Sequence, residues 1–199
     1  MPAHLCPIKF LKIKKMKQLL LFFVLLATQT LAQTNPLPFK KTIEIEVDPL
    51  AYLLNGYSVH GVYNHDRLRF DLGAFGIEQP TAITGKKDFR VMTRGFGLKV
   101  NYMIARVNGA YAGVDFGYAA NEVTLKETGD RDTGHNLSAG VHLGYRFFLF
   151  PRRDNFLRGI YLTPWAGVSF NHVYDRVQLG NYDEGNIGYF ATFHIGYRF

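Results

Sequence analysis

The sequence predicts an all-β chain: eight antiparallel strands closed into an up-and-down barrel, with apolar side chains outside and polar ones inside. Three observations lead there: the strict alternation of the last segment, the even spacing of turn-forming residues, and a basic–tyrosine signature that recurs in every second strand. From Ile187 onward, Ile187, Tyr189, Ala191, Phe193, Ile195, Tyr197 and Phe199 fall on one side of an extended chain. Gly188, Phe190, Thr192, His194, Gly196 and Arg198 fall on the other. An apolar face opposed to a small or polar one is what a transmembrane strand needs between lipid and a polar lumen.

The first 32 residues read as a secretory signal peptide. Leu19 to Ala27 is an unbroken apolar run, with Lys14, Lys15 and Lys17 before it and Thr30-Leu31-Ala32 after it. The run is too short for a spanning helix of roughly 20 residues. Met16 is an alternative start, since Met16-Lys17-Gln18 already opens like a signal peptide. The leader holds five of the 23 basic residues and no acid, so the mature chain has 18 basic groups against 16 acidic ones, and its net charge falls from +7 to +2. That removes the argument for a nucleic-acid partner. Cys6, the only cysteine, lies in the same leader, so no disulfide is expected.

Residues 33–41 read as a polar tether and 42–199 as the barrel. Thr42 to Val47 alternates cleanly, and residues 50–54 are expected to continue that strand. The alternative is one helical turn with Asp48 as N-cap and Pro49 at the first position. Strands follow at 57–64 and 67–77, then a polar loop at 78–89. Two longer strands, 91–104 and 111–125, meet at a tight turn around Val107-Asn108-Gly109. A second polar loop at 126–135 leads to a strand at 136–150, a turn at 151–158, a strand at 160–173, a third loop at 174–186 and the final strand. Long and short connections alternate, as barrels in outer membranes arrange them.

Four strands running toward the short turns carry a basic residue three positions before a tyrosine: His60 and Tyr63, Lys99 and Tyr102, His142 and Tyr145, His194 and Tyr197. His142-Leu-Gly-Tyr-Arg-Phe147 and His194-Ile-Gly-Tyr-Arg-Phe199 differ at a single position. The odd spacing sends the basic group inward and the tyrosine outward, to an aromatic girdle of Tyr63, Tyr102, Tyr145 and Tyr197. The intervening strands supply acids. The expected lumen network is Glu44, Glu46, His60, Arg69, Asp71, Lys99, Asp115, His142, Arg146, His194 and Arg198, with Arg67 and Asp48 as further members. An eight-stranded interior is only just wide enough for side chains to fill, so a balanced charge set reads as a plug.

The same residues admit other functional readings. The histidines suit metal ligation or general base chemistry, but their shared register favours hydrogen bonding within the lumen. Asp115, His142 and Ser138 make a conceivable hydrolytic triad, and Phe170-Asn171-His172 partly echoes a barrel esterase signature. Trp165 reads as lumen packing. No catalytic, cofactor or metal site is expected.

On these features the chain resembles small eight-stranded outer-membrane β-barrels, similar in architecture to the OmpA transmembrane domain and OmpX, and to uncharacterised single-barrel proteins of Bacteroidota. The resemblance implies insertion by the barrel assembly machinery, which reads the C-terminal signal Phe193, Ile195, Tyr197 and Phe199. It also implies periplasmic chaperones, outer-membrane lipids as surroundings and both termini in the periplasm. The expected role is structural or surface-interacting, through an unknown ligand at the loops near 78–89, 126–135 and 174–186. A narrow channel for small solutes and a lipid A deacylase or acyltransferase are the alternatives. A soluble lipocalin-like barrel is a third alternative, disfavoured because it should bury its apolar side chains inside.

Overall fold

The computed structural model describes residues 41–81, 85–104, 108–150 and 158–199. The leader, the tether up to residue 40 and parts of the turns near 107 and 154 lie outside the described residues. Eight strands run in order: β1 Lys41–Val47, β2 Tyr57–His65, β3 Leu68–Glu78, β4 Phe89–Met103, β5 Gly109–Leu125, β6 Arg131–Phe148, β7 Gly159–Asp175 and β8 Ile187–Arg198. Each pairs antiparallel with the next, and β8 returns to β1 to close the barrel. Closure leaves no sheet edge running the full height of the wall. At one end, here the turn end, β2 and β3 meet at Asp66-Arg67, with Asp66 in the left-handed region at φ 55°. The opposite end carries the longer loops.

Alternation fixes what faces where. Along β2 burial switches at every residue, with Ser58, His60, Val62 and Asn64 buried and Tyr57, Val59, Gly61 and Tyr63 exposed. The outer surface is apolar: Phe116, Leu137, Val141, Leu143, Phe170 and Tyr189 all stand exposed. On β6 this face runs from Leu137 to Phe147, which at about 3.4 Å per residue and a tilt near 40° spans about 25 Å along the barrel axis.

Residues 50–54 depart from the strand expectation. Pro49–Leu53 is a short helix, α1, whose N-cap Asp48 accepts the Leu50 N–H at 2.8 Å. Proline at the first position lacks an N–H the strand ladder would need and is preset for the helix. Asn55, at φ 52°, then turns the chain into β2. The helix has a topological consequence. β1 pairs with β8 only from Glu44 opposite Arg198 to Val47 opposite Ile195. Beyond that point α1 stands between β8 and the β2–β3 hairpin, contacting all three.

The loops are also shorter than expected. β6 begins at Arg131, not near 136, and β7 runs to Asp175. Residues 131–135, Arg-Asp-Thr-Gly-His, are polar or small on both faces, so no apolar alternation marks them as strand; the register shift opposite them lies on β7, where Tyr174 is the extra residue between Val173 and Asp175. His135 consequently stacks between Tyr118 and Tyr174.

The repeated signature has a packing reason. Tyr111 faces Gly144 across β5–β6, and Tyr161 faces Gly196 across β7–β8. A Cβ at Gly144 or Gly196 would lie 2.3 Å from the facing tyrosine ring. Each glycine of the His-x-Gly-Tyr-Arg-Phe repeat therefore makes room for a ring crossing the lumen.

Candidate functional site

The interior at the turn end is a buried ion network. Glu44, wholly buried, accepts from Arg146 at 3.0 Å, Arg198 at 2.6 Å and the Tyr161 hydroxyl at 2.8 Å, with Arg69 at 3.5 Å. Glu46 accepts from Arg69, from His194 Nδ1 at 2.9 Å and, alternatively to Glu44, from the single Tyr161 hydroxyl proton at 2.7 Å. Asp71 lies 3.3 Å from Lys99, 3.6 Å from Arg69 and 2.7 Å from His60 Nδ1. Asp115 holds His142 Nδ1 at 2.9 Å. Three carboxylates, Glu44, Glu46 and Asp71, thus face four permanent cations, Arg69, Lys99, Arg146 and Arg198, while Asp115 meets His142. Such pairing offsets the desolvation of charges that would be costly alone.

The structure joins nine of the eleven expected lumen residues in one polar network, while Asp115 and His142 form a separate pair that meets it through the Trp165 ring. Arg67 is not among them: it sits at the β2–β3 turn, donates to the Ile104 carbonyl at 2.8 Å and lies over the Tyr102 ring. Its place next to the positive-φ residue of the turn carries it outside. Asp48 caps α1 and accepts from Thr192 at 2.7 Å. Tyr63, Tyr102 and Tyr197 are exposed outside near the turn end, with Tyr145 half-buried beside them.

Three histidines share one arrangement, Nδ1 against a carboxylate, and differ in what meets Nε2. For His142 it is Asn101 Oδ1 at 2.5 Å, while Asn101 Nδ2 has no partner among the described residues. Turning that amide over lets Nδ2 donate to His142 Nε2. This pairing leaves Ser138 outside any Ser138–His142–Asp115 triad. For His60 it is the Ser58 hydroxyl at 3.0 Å. His194 packs edge-on against Trp165, which also packs against Phe190 and lies under Lys99. His172 of the esterase echo is exposed. Sequence reasoning missed Tyr161, Tyr111, Asn101 and Ser58. All four stand in the inward register of their strands, a signal the sequence carried, and the two tyrosines face the repeat glycines. His60, Asp71 and His194 also cluster closely enough for one ion, but Lys99 and Arg69 beside Asp71 already neutralise the only carboxylate of that set.

The loop end is built differently. Phe89, Val91, Val123 and Val177 form an apolar cluster joined by Leu125, Leu179 and Tyr182, which docks residues 176–186 onto the inner faces of β4 and β5. Below it Gln79 donates to the Thr93 hydroxyl at 2.6 Å, and Thr93 donates to Asn121 at 2.6 Å. Asn121 in turn donates to Glu184 at 3.1 Å. The second Glu184 oxygen is buried without a partner among the described residues. Burial raises the Glu184 carboxyl above its ordinary 4.5, outweighing the Asn121 hydrogen bond and the Lys86 and Arg176 charges that pull it down.

That sign makes docking pH-dependent. A carboxyl raised in the docked state binds its proton more tightly there, so its contribution is fully present below the free value and is lost as pH rises through the docked one. Amide hydrogen exchange in residues 176–186, corrected for intrinsic rates, is expected to slow as pH falls from neutrality toward the ordinary carboxyl value of 4.5. Glu184→Gln should flatten that dependence. A wild-type loop that opens on acidification contradicts the assignment.

No helix among the described residues is long and apolar enough to cross a membrane, which says nothing of strands. No family model, curated protein or solved structure matches the chain, so the geometry carries the functional reading by itself.

Proposed function

We propose that the chain is an outer-membrane β-barrel whose lumen is sealed by its own ion network and whose activity at the cell surface resides in the loop end. The observation that supports this reading is the inversion of polarity. Glu44, Glu46, Arg69, Asp71, Arg146 and Arg198 are buried inside, while Leu143, Val141, Phe116 and Tyr189 are bare outside. In water that distribution is unfavourable on both counts; around a hydrocarbon slab it is the favourable one. On this reading residues 1–32 are the export signal, both termini are periplasmic, and Phe193, Ile195, Tyr197 and Phe199 present the strand that the assembly machinery receives from chaperones. Outer-membrane lipids are the immediate partners, and an extracellular ligand would meet residues 79–88, 126–130 and 176–186.

The test compares gel mobility of the outer-membrane protein with and without boiling. A faster unboiled band that slows after heating is expected from a closed, detergent-resistant barrel; a soluble protein with no shift overturns the reading. In planar bilayers the sealed lumen should give no steady conductance. A steady current altered by Arg146→Ala would replace the sealed barrel with a narrow channel.

A further inference from the structure

We infer that Ser58, His60 and Asp71 form a hydrolytic site in the barrel wall, with the acyl ester of an amphiphile as substrate class. The alternation of β2 puts Ser58 and His60 on the same inward face, two residues apart. The β2–β3 register, with Val62 opposite Asp71, brings the carboxylate diagonally beside the imidazole. His60 Nδ1 stands 2.7 Å from Asp71 Oδ1, and Nε2 stands 3.0 Å from Ser58 Oγ. Lys99 and Arg69 hold Asp71 from its other oxygen, which leaves Oδ1 to take the Nδ1 proton. Nε2 then accepts from the hydroxyl, the tautomer a general base needs.

Lumen packing alone does not account for this order of atoms. His142 and His194 have the same anchored Nδ1, yet only His60 has a hydroxyl at Nε2. In the reaction Ser58 Oγ attacks the ester carbonyl carbon as its proton passes to His60 Nε2. The ester C–O bond breaks, and the departing alcohol takes that proton. Water then repeats the sequence, freeing the acid and restoring Ser58. Ser58 and His60 touch the reacting atoms; Asp71 is a positioning residue.

Ser58 is 2 % exposed, so substrate must displace something, and the element packed against that end of β2 is α1. Tyr52 donates its hydroxyl proton to the Ser58 carbonyl at 3.0 Å. Further bonds are Asp48 to Thr192, the Leu54 carbonyl to the Glu78 N–H and the Asn55 amide to the Glu78 carboxylate. These few bonds lie where β1 no longer pairs with β8, so α1 can shift without unzipping the ladder. Tyr52 and Leu53 project outward from it, and Leu53 and Leu54 line a cavity of about 300 Å³ that also carries Phe89, Arg90 and Lys126. Glu78 lines it too and pairs with Arg90 at 2.9 Å, so the walls are apolar with one ion pair and the Lys126 cation, and they suit an amphiphile that reaches Ser58 only once α1 moves. The lipid source of the ester rests on the outer-membrane reading; the Ser58 chemistry does not.

The experiment uses the full chain in detergent micelles, with a fluorophosphonate probe and p-nitrophenyl butyrate. One covalent adduct mapping to Ser58 is expected, formed faster in Tyr52→Phe. Ester hydrolysis should vanish in Ser58→Ala and fall by about a hundredfold or more in His60→Gln. Asp71→Asn should lower kcat with little change in KM. The unboiled gel shift checks that each variant is folded. Shifting protein that stays unlabelled in both wild type and Tyr52→Phe, or hydrolysis that persists in Ser58→Ala, overturns the site. Labelled Ser58 in a protein that fails to fractionate with the outer membrane would sink the membrane reading and keep this one.

Discussion

Glu44→Gln is expected to destabilise the barrel by about 3–5 kcal/mol, the typical loss when one partner of a buried charge cluster is removed. The side chain keeps its shape, so the effect is electrostatic. Arg146, Arg198 and Arg69 all converge on this carboxylate, and Tyr161 donates to it. Neutralising it leaves three guanidinium groups around an amide inside a narrow lumen. A second substitution, Arg146→Met, should return part of the loss, because it removes one of the stranded charges. The measurement is the urea midpoint for reversible folding into lipid vesicles, followed by the unboiled gel shift. A loss below about 1 kcal/mol would mean that water enters the lumen and screens the cluster, contrary to a sealed plug.

Period-two alternation made most of this architecture legible in the sequence, because one side of every strand must differ from the other. Strand number, the inward set from Glu44 to Arg198 and the outward tyrosines all follow from that parity. Legibility ended where parity is interrupted. At Asp48-Pro49 the apolar residues Leu50, Leu53 and Leu54 suit a strand or a helix, and the cap decided it. At Arg131 to His135 both faces of the strand are polar or small, which hid the start of β6. Arg67 has the parity of a lumen residue, but the tight turn beside it diverts the chain. The Ser58–His60–Asp71 line was hidden for another reason. Two of its members are neighbours on β2, but the third arrives through a cross-strand register that no local pattern fixes. Register likewise decided that Asn101, not Ser138, meets His142.

The sharpest discrimination between a membrane barrel and a soluble one comes from the outer face. Val141 points outward from the middle of the Leu137–Phe147 run on β6, flanked by Val114 on β5 and Val168 on β7. Val141→Arg places a guanidinium on that surface, with no lumen contact and no change in the ladder. Near a bilayer midplane the expected loss is about 2–4 kcal/mol, falling to about 0–1 kcal/mol near the interface. The same substitution on a water-exposed strand changes stability by about 0.5 kcal/mol or less. A series with arginine at Leu137, Val141 and Phe147 should therefore trace a maximum at the centre when stability is measured in vesicles. In a detergent-free aqueous barrel the three values would be small and flat. The profile depends only on depth, so it separates the two surroundings even if the plug, the loops and Ser58 all prove to do something else.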